Sequence, residues 1–192
     1  MSLIEKAVAA LTPSESRQAR QEARAKAHTL AGPDDWLSNV LAHHRQIETA
    51  FADVKASTSE AIRLEAQRRL GVILTGHANA EESVLYPALA GVADKGHAAT
   101  MAYAEQADAK TQMGLLENLA PMSQEYLEKL DHIRDAVAHH MYEEEGTWFP
   151  ELKAKASSAN QTNLTRRYAE EFNRYVGDDA ASFKSARYAR GR

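Results

Sequence analysis

Apolar residues along this chain recur three, four and seven positions apart, and no stretch alternates β-branched with polar residues as a strand would. The pattern breaks at "TPSE" (12–15), "AGPDD" (31–35), "KAST" (55–58), "PALAGVADKG" (87–96), "LAPMS" (119–123), "SSANQ" (157–161) and "GDD" (177–179), where Pro, Gly, Ser, Asn and Asp gather. Between the breaks the spacing predicts four long helices, about 35–55, 60–87, 97–119 and 123–155, with further helical segments at each end. Four long helices with short connections predict an all-α, up-down four-helix bundle around one apolar core. The chain then divides into an N-terminal helical extension at 1–33, the bundle at 34–156, and a C-terminal helix with a basic tail at 157–192.

Several ionisable residues sit in the rows that ought to be buried. In the first long helix Leu37, His44 and Phe51 fall seven apart, with Val40, Ile47 and Val54 as the companion row. In the second, Leu70, His77 and Val84 align beside Leu74, Glu81 and Ala88; in the fourth, Tyr126, Ile133 and His140 align beside Leu130, Val137 and Glu144. The spacing therefore points His44, His77, Glu81, His140 and Glu144 inward. His43, His132 and His139 fall on flank or outer rows and are expected at the surface or its boundary.

The second and fourth helices carry related segments. "HANAEESVLYPAL" (77–89) returns sixty-three residues later as "HMYEEEGTWFPEL" (140–152), with His, both Glu, Pro and the last Leu at matching offsets. A His and a Glu four apart share one face of a helix. No Lys or Arg lies on the inward rows, with only Lys55 and Lys110 on the flanks, so the inward carboxylates lack a cationic partner within the bundle. Neutral imidazoles and carboxylates converging in a bundle core are suited to one or two divalent ions, with iron, manganese or zinc favoured by the mixed nitrogen and oxygen set. Glu82 and Glu145 are expected to point away, where they hydrogen-bond neighbours or orient ligands, Tyr86 and Phe149 to pack over the site, and Pro87 and Pro150 to stop or kink their helices.

Composition narrows the setting. The chain has no cysteine, which excludes disulfides, thiolate zinc sites and thiol nucleophiles and fits a reducing compartment. A net charge of −4 gives no reason to expect nucleic acid as the main partner. The start, "MSLIEKAVAALTPSE", carries Glu5 and Lys6 inside its apolar stretch and does not resemble a signal peptide. With no apolar run of spanning length, the expectation is a cytoplasmic protein without a membrane partner. HExxH, Glu-x-x-His pairs, Gly-rich phosphate loops and a Ser-centred elbow are all absent.

Across roughly 35–153, "LAHHRQIE", "HANAEESVLYPAL" and "HHMYEEEGTWFPEL" resemble the hemerythrin-like, HHE cation-binding family. The resemblance implies metal ligands at His44, His77, Glu81, His140 and Glu144, with the glutamates bridging a non-haem di-iron pair and the histidines capping the ions. It also implies a third-helix histidine, and the inward residue there is Gln106, in the Ala99, Gln106, Met113 row. The second ion is the one this departure affects, and Glu48, one turn beyond His44, is a further candidate ligand. The function implied is binding, sensing or detoxifying O2, NO or a peroxide at iron, with peroxide decomposition as an enzymatic variant. The alternative is a mononuclear or metal-structural interaction module. Either fits a monomer or a homodimer. The end helices, 14–31 and 161–176, are expected to pack on the bundle or on a partner, and the basic "FKSARYARGR" (183–192) to be a solvated tail.

Overall fold

Helix starts in this chain are marked by side chains that accept a backbone N–H the helix cannot satisfy itself. The structure, a computed structural model, describes residues 15–177. Within them six helices follow one another, and five begin on a Ser or Asp cap. These are α1 (Arg17–Leu30, capped by Ser16), α2 (Trp36–Ala56, Asp35), the helix α3 opening at Glu60 (Ser59), α5 opening at Gln124 (Ser123) and α6 (Ser158–Val176, Ser157). The remaining helix, α4 (Gly96–Leu116), has no side-chain cap. No strand occurs among the described residues.

Helices α3 and α5 share an irregularity. Helix α3 is α-helical over Glu60–Ala80, widens to a π turn over Glu81–Leu85 and resumes as Tyr86–Gly91. Helix α5 does the same, over Gln124–Glu143, Glu144–Trp148 and Phe149–Lys155. Each π turn starts on the glutamate of an HxxxE pair and ends one residue before the aromatic-Pro step. Proline brings no N–H and its ring crowds the carbonyl one turn back, so a regular helix would kink there. In α3 the widened turn absorbs the ring. The carbonyls of Glu82 and Ser83 accept instead from the Tyr103 hydroxyl at 2.8 Å and from Arg167 at 3.4 Å. This corrects the expectation of a stop near residue 87, because the helix passes through Pro87 and ends at Gly91.

Packing follows the apolar rows. Helix α2 buries Trp36, Leu37, Val40, Leu41, Ile47, Phe51 and Val54 against α3 and α5, and Trp36 meets Phe149 edge-to-face at 5.6 Å. Helix α4 packs on α5 and on the last turns of α3. Helix α6 lies across α3 and α2 through Leu164, Tyr168, Phe172 and Val176, with a close approach at Gly76. A Cβ added to Gly76 would come within 2.5 Å of Val176 Cγ2. Helix α1 sets its small residues Ala23 and Ala27 against the π turn of α5 and against α2. Both terminal helices thus pack on the core. The apolar start at 1–14 and the basic tail at 183–192 lie outside the described residues. No helix among the described residues is long and apolar enough to cross a membrane.

Candidate metal centre

The inward histidines and glutamates converge in the middle of the core. One donor atom from each of His44, His77, Glu81 and Glu144 lies within 4.8 Å of the other three. His44 is contributed by α2, His77 and Glu81 by α3 and Glu144 by α5, and all four are buried, at 0–4% exposure. His44 Nε2 stands 3.3 Å from Glu144 Oε2 and 3.9 Å from Glu81 Oε1, and His77 Nε2 is 3.2 Å from Glu81 Oε2. The fifth expected residue, His140, stands on the far side of the carboxylates, with Nε2 3.2 Å from Glu144 Oε1.

Each histidine is aimed by a partner on its other ring nitrogen. His44 Nδ1 meets Glu145 Oε1 at 2.7 Å, His140 Nδ1 meets Glu105 Oε2 at 2.8 Å, and His77 Nδ1 meets the Tyr168 hydroxyl at 3.0 Å. A carboxylate can only accept, so His44 and His140 carry their proton on Nδ1. Tyr168 has a single proton and also meets His43 Nδ1, at 2.9 Å. A consistent relay has His77 Nδ1–H donating to Tyr168 and Tyr168 donating to His43. That arrangement keeps His77 Nε2 bare and turned toward the carboxylates, as a ligating imidazole requires.

Two residues differ from the sequence expectation. Glu145, expected to point away, is 1% exposed and sits beneath His44. Arg24 of α1 donates to it from Nε at 3.1 and 3.0 Å and to Glu48 from both terminal nitrogens at 2.8 and 2.9 Å. Glu48 is therefore engaged at the surface with Arg24, and it is not among the four residues that converge. Tyr86, expected only to pack, reaches into the centre. Its hydroxyl lies 2.9 Å from Glu144 Oε1, 3.0 Å from His140 Nε2 and 3.2 Å from Glu81 Oε2, and it accepts from Gln106 Nε2 at 2.5 Å. Gln106 is buried at the site, as its row predicts, and also donates to Glu81 Oε2 at 2.7 Å. By contrast Glu82 turns outward to Lys110 at 2.7 Å, and His132 is exposed.

The carboxylates and imidazoles titrate as one network. Burial raises the Glu81 carboxyl to about 7, reinforced by the neighbouring charge of Glu144. Burial opposes ionisation of Glu144 as well, but the charge of His140, 3.2 Å away, and the neighbouring His44 win and hold it below the usual carboxylate range. For His140, burial is outweighed by the Glu144 charge and the Glu105 hydrogen bond, placing it at about 10. His44 is likewise held well above an ordinary histidine, since Glu144, Glu145 and Glu81 outweigh its burial. His77 is depressed, by burial and then by the charge of His44. Protons therefore occupy places that a divalent cation would take, and binding one releases them.

The fit to a cation rests on atoms that lack a partner. His44 Nε2, His77 Nε2, Glu81 Oε1 and Glu144 Oε2, and with them Gln106 Oε1, are buried and make no hydrogen bond. An unsatisfied buried polar atom is unfavourable by about 1–3 kcal/mol, and His44, His77, Glu81 and Glu144, which carry four of these atoms, form a group that could hold a metal ion. A cavity of about 1040 Å³ opens between α3, α4 and α5, where α3 and α4 meet only sparsely before the last turns of α3, and His77, Gln106 and His140 are among the residues that line it.

Residues 36–152 match the hemerythrin HHE cation binding domain, and the chain belongs to that family. It is also similar to a curated protein, the DNA nickase of Nostoc sp. (strain PCC 7120 / SAG 25.82 / UTEX 2576), at 27% identity over 129 residues. That alignment covers 67% of this chain and 35% of the nickase, so the chain spans about a third of that relative's length. No solved structure gives a significant match.

Proposed function

We propose that this chain is a hemerythrin-like non-haem iron protein, an up-down four-helix bundle that binds a small diatomic molecule or a peroxide at a buried metal. The observation that carries the reading is the set of four partnerless donor atoms on His44, His77, Glu81 and Glu144. These residues hold the ion, and His140 lies beside it through Glu144. The mixed imidazole and carboxylate set favours iron over softer or harder cations, with manganese and zinc as the competitors. Iron held there would supply redox chemistry toward O2, NO or peroxide.

The residues around the ion orient and shield it. Glu145 and Tyr168 fix the ring planes of His44 and His77, and Tyr86 and Trp148 close the site from bulk water. The cavity leading to His77 and His140 gives a small ligand its way in. The nickase likeness covers 35% of that protein, and strand cleavage is no part of this reading.

The test is elemental analysis of protein purified anaerobically, with visible spectra before and after O2, NO or peroxide. Iron retained by the wild type and lost by His77→Ala, with ligand-dependent bands, is the expected result. Equal metal content in His77→Ala and wild type would refute the assignment. Turnover of hydrogen peroxide by the loaded protein separates a decomposing enzyme from a binding or sensing protein.

A further inference from the structure

The two oxygens of each site carboxylate have different surroundings. Glu81 Oε1 and Glu144 Oε2 have no hydrogen-bond partner and lie 3.9 and 3.3 Å from His44 Nε2. Their sister oxygens, Glu81 Oε2 and Glu144 Oε1, lie 3.2 and 2.9 Å from the Tyr86 hydroxyl. His140 Nε2 comes to the same hydroxyl at 3.0 Å. These three atoms are the ones a second ion bridged by the glutamates and capped by His140 would use. Metal–oxygen and metal–nitrogen bonds of about 2.0–2.2 Å to all three would bring that ion into the space of the hydroxyl oxygen.

Gln106 closes the same half of the site. Its amide nitrogen donates to Glu81 Oε2 at 2.7 Å and to the Tyr86 hydroxyl at 2.5 Å, so the amide NH2 faces inward. An amide NH2 does not ligate a metal. Its carbonyl oxygen, the end able to ligate, is buried without a partner and is not the atom that meets Glu81 and Tyr86. The third helix thus supplies a hydrogen-bond donor where a second ion needs an imidazole.

We propose that this centre is built for one ion, held by His44, His77, Glu81 and Glu144, and that the Tyr86 hydroxyl with its partner Gln106 fills the place of a second. The inference rests on the metal-binding reading above. The π turn is what makes the substitution work, since it carries Tyr86 to the face of Glu81 five residues earlier. The hydroxyl points its one proton at the two carboxylates, nearer Glu144 Oε1 at 2.9 Å than Glu81 Oε2 at 3.2 Å, while Gln106 donates to the hydroxyl and to Glu81, and the centre keeps its shape without a second cation.

The experiment is anaerobic loading with excess iron(II), and separately with cobalt(II), followed by desalting and the metal-to-protein ratio. Wild type is expected to hold one ion per chain. Tyr86→Phe combined with Gln106→His removes the hydroxyl and restores an imidazole, and is expected to hold two. Gln106→His alone keeps the hydroxyl and is expected to stay at one. Two ions on wild type, with a tyrosinate charge-transfer band from Tyr86, would overturn the inference while leaving the metal-binding reading intact. No ion on wild type would overturn both. If circular dichroism shows the double variant folded and it still holds one, Tyr86 is not what occupies the second place.

Discussion

Removing the guanidinium of Arg24 tests whether α1 is part of the centre or only a cover on it. Arg24→Met keeps most of the stem and deletes four hydrogen bonds, two to Glu145 and two to Glu48. Glu145 is the costly partner. Its side chain is 2% exposed, and after the substitution its charge is met only by His44 Nδ1–H. Breaking a fully buried ion pair costs about 3–5 kcal/mol, and the 23% exposure of the Arg24 side chain places this one lower, at about 2–3 kcal/mol. The Glu48 half, 43% exposed, contributes at most about 0.5 kcal/mol. For a chain of this size, about 2–4 °C per kcal/mol gives a fall of roughly 5–10 °C in Tm. Calorimetry of the metal-free protein measures it, with Glu48→Gln as the control and Glu145→Gln closing a double-mutant cycle. A loss for Arg24→Met no larger than for Glu48→Gln would refute the claim that α1 neutralises Glu145.

Tyr168→Phe removes one hydroxyl and leaves the ring buried, so His77 loses the partner that holds its proton on Nδ1. Affinity for iron(II), read by competition with a chelator, is expected to fall about 10–100-fold with the helix content retained; unchanged affinity would show that Tyr168 does not aim His77. Glu81→Gln tests the pH linkage. The folded-state value of Glu81 is raised to about 7, so in metal-free wild type the unfolded chain releases this proton first. The group's unfavourable contribution is absent below about pH 4.5, grows as pH rises and is complete above about 7, where it is on the order of 3 kcal/mol. Metal-free Glu81→Gln is therefore expected to gain stability relative to wild type across that window in urea unfolding, and parallel curves would reject the shift.

Much of the site was legible because it is written in local geometry. A His and a Glu four apart share a helix face wherever the helix packs, and the apolar rows around His44, His77 and His140 say which face is buried. The inward place of Gln106 followed from the same register. Tyr86 escaped because an α-helix sets a residue five positions on roughly 140° around the axis, away from Glu81. The π turn at Glu81–Leu85 adds the residue that brings it back. The one available signal was the Pro that follows in both copies, which a regular helix accommodates poorly.

Glu145 escaped for a different reason. One position past Glu144, it leaves the core face of α5, and it is buried only because α1 covers it and brings Arg24. By itself the sequence determined an all-helical chain, its break points and the His and Glu residues of the candidate centre, because periodicity and i,i+4 spacing are properties of a single helix. Tertiary structure alone decided which side chains complete that centre. Glu105 on His140, Tyr168 on His77 and Arg24 on Glu145 are separated by 35, 91 and 121 residues, and they meet only because the packing of apolar faces sets the distance between helices.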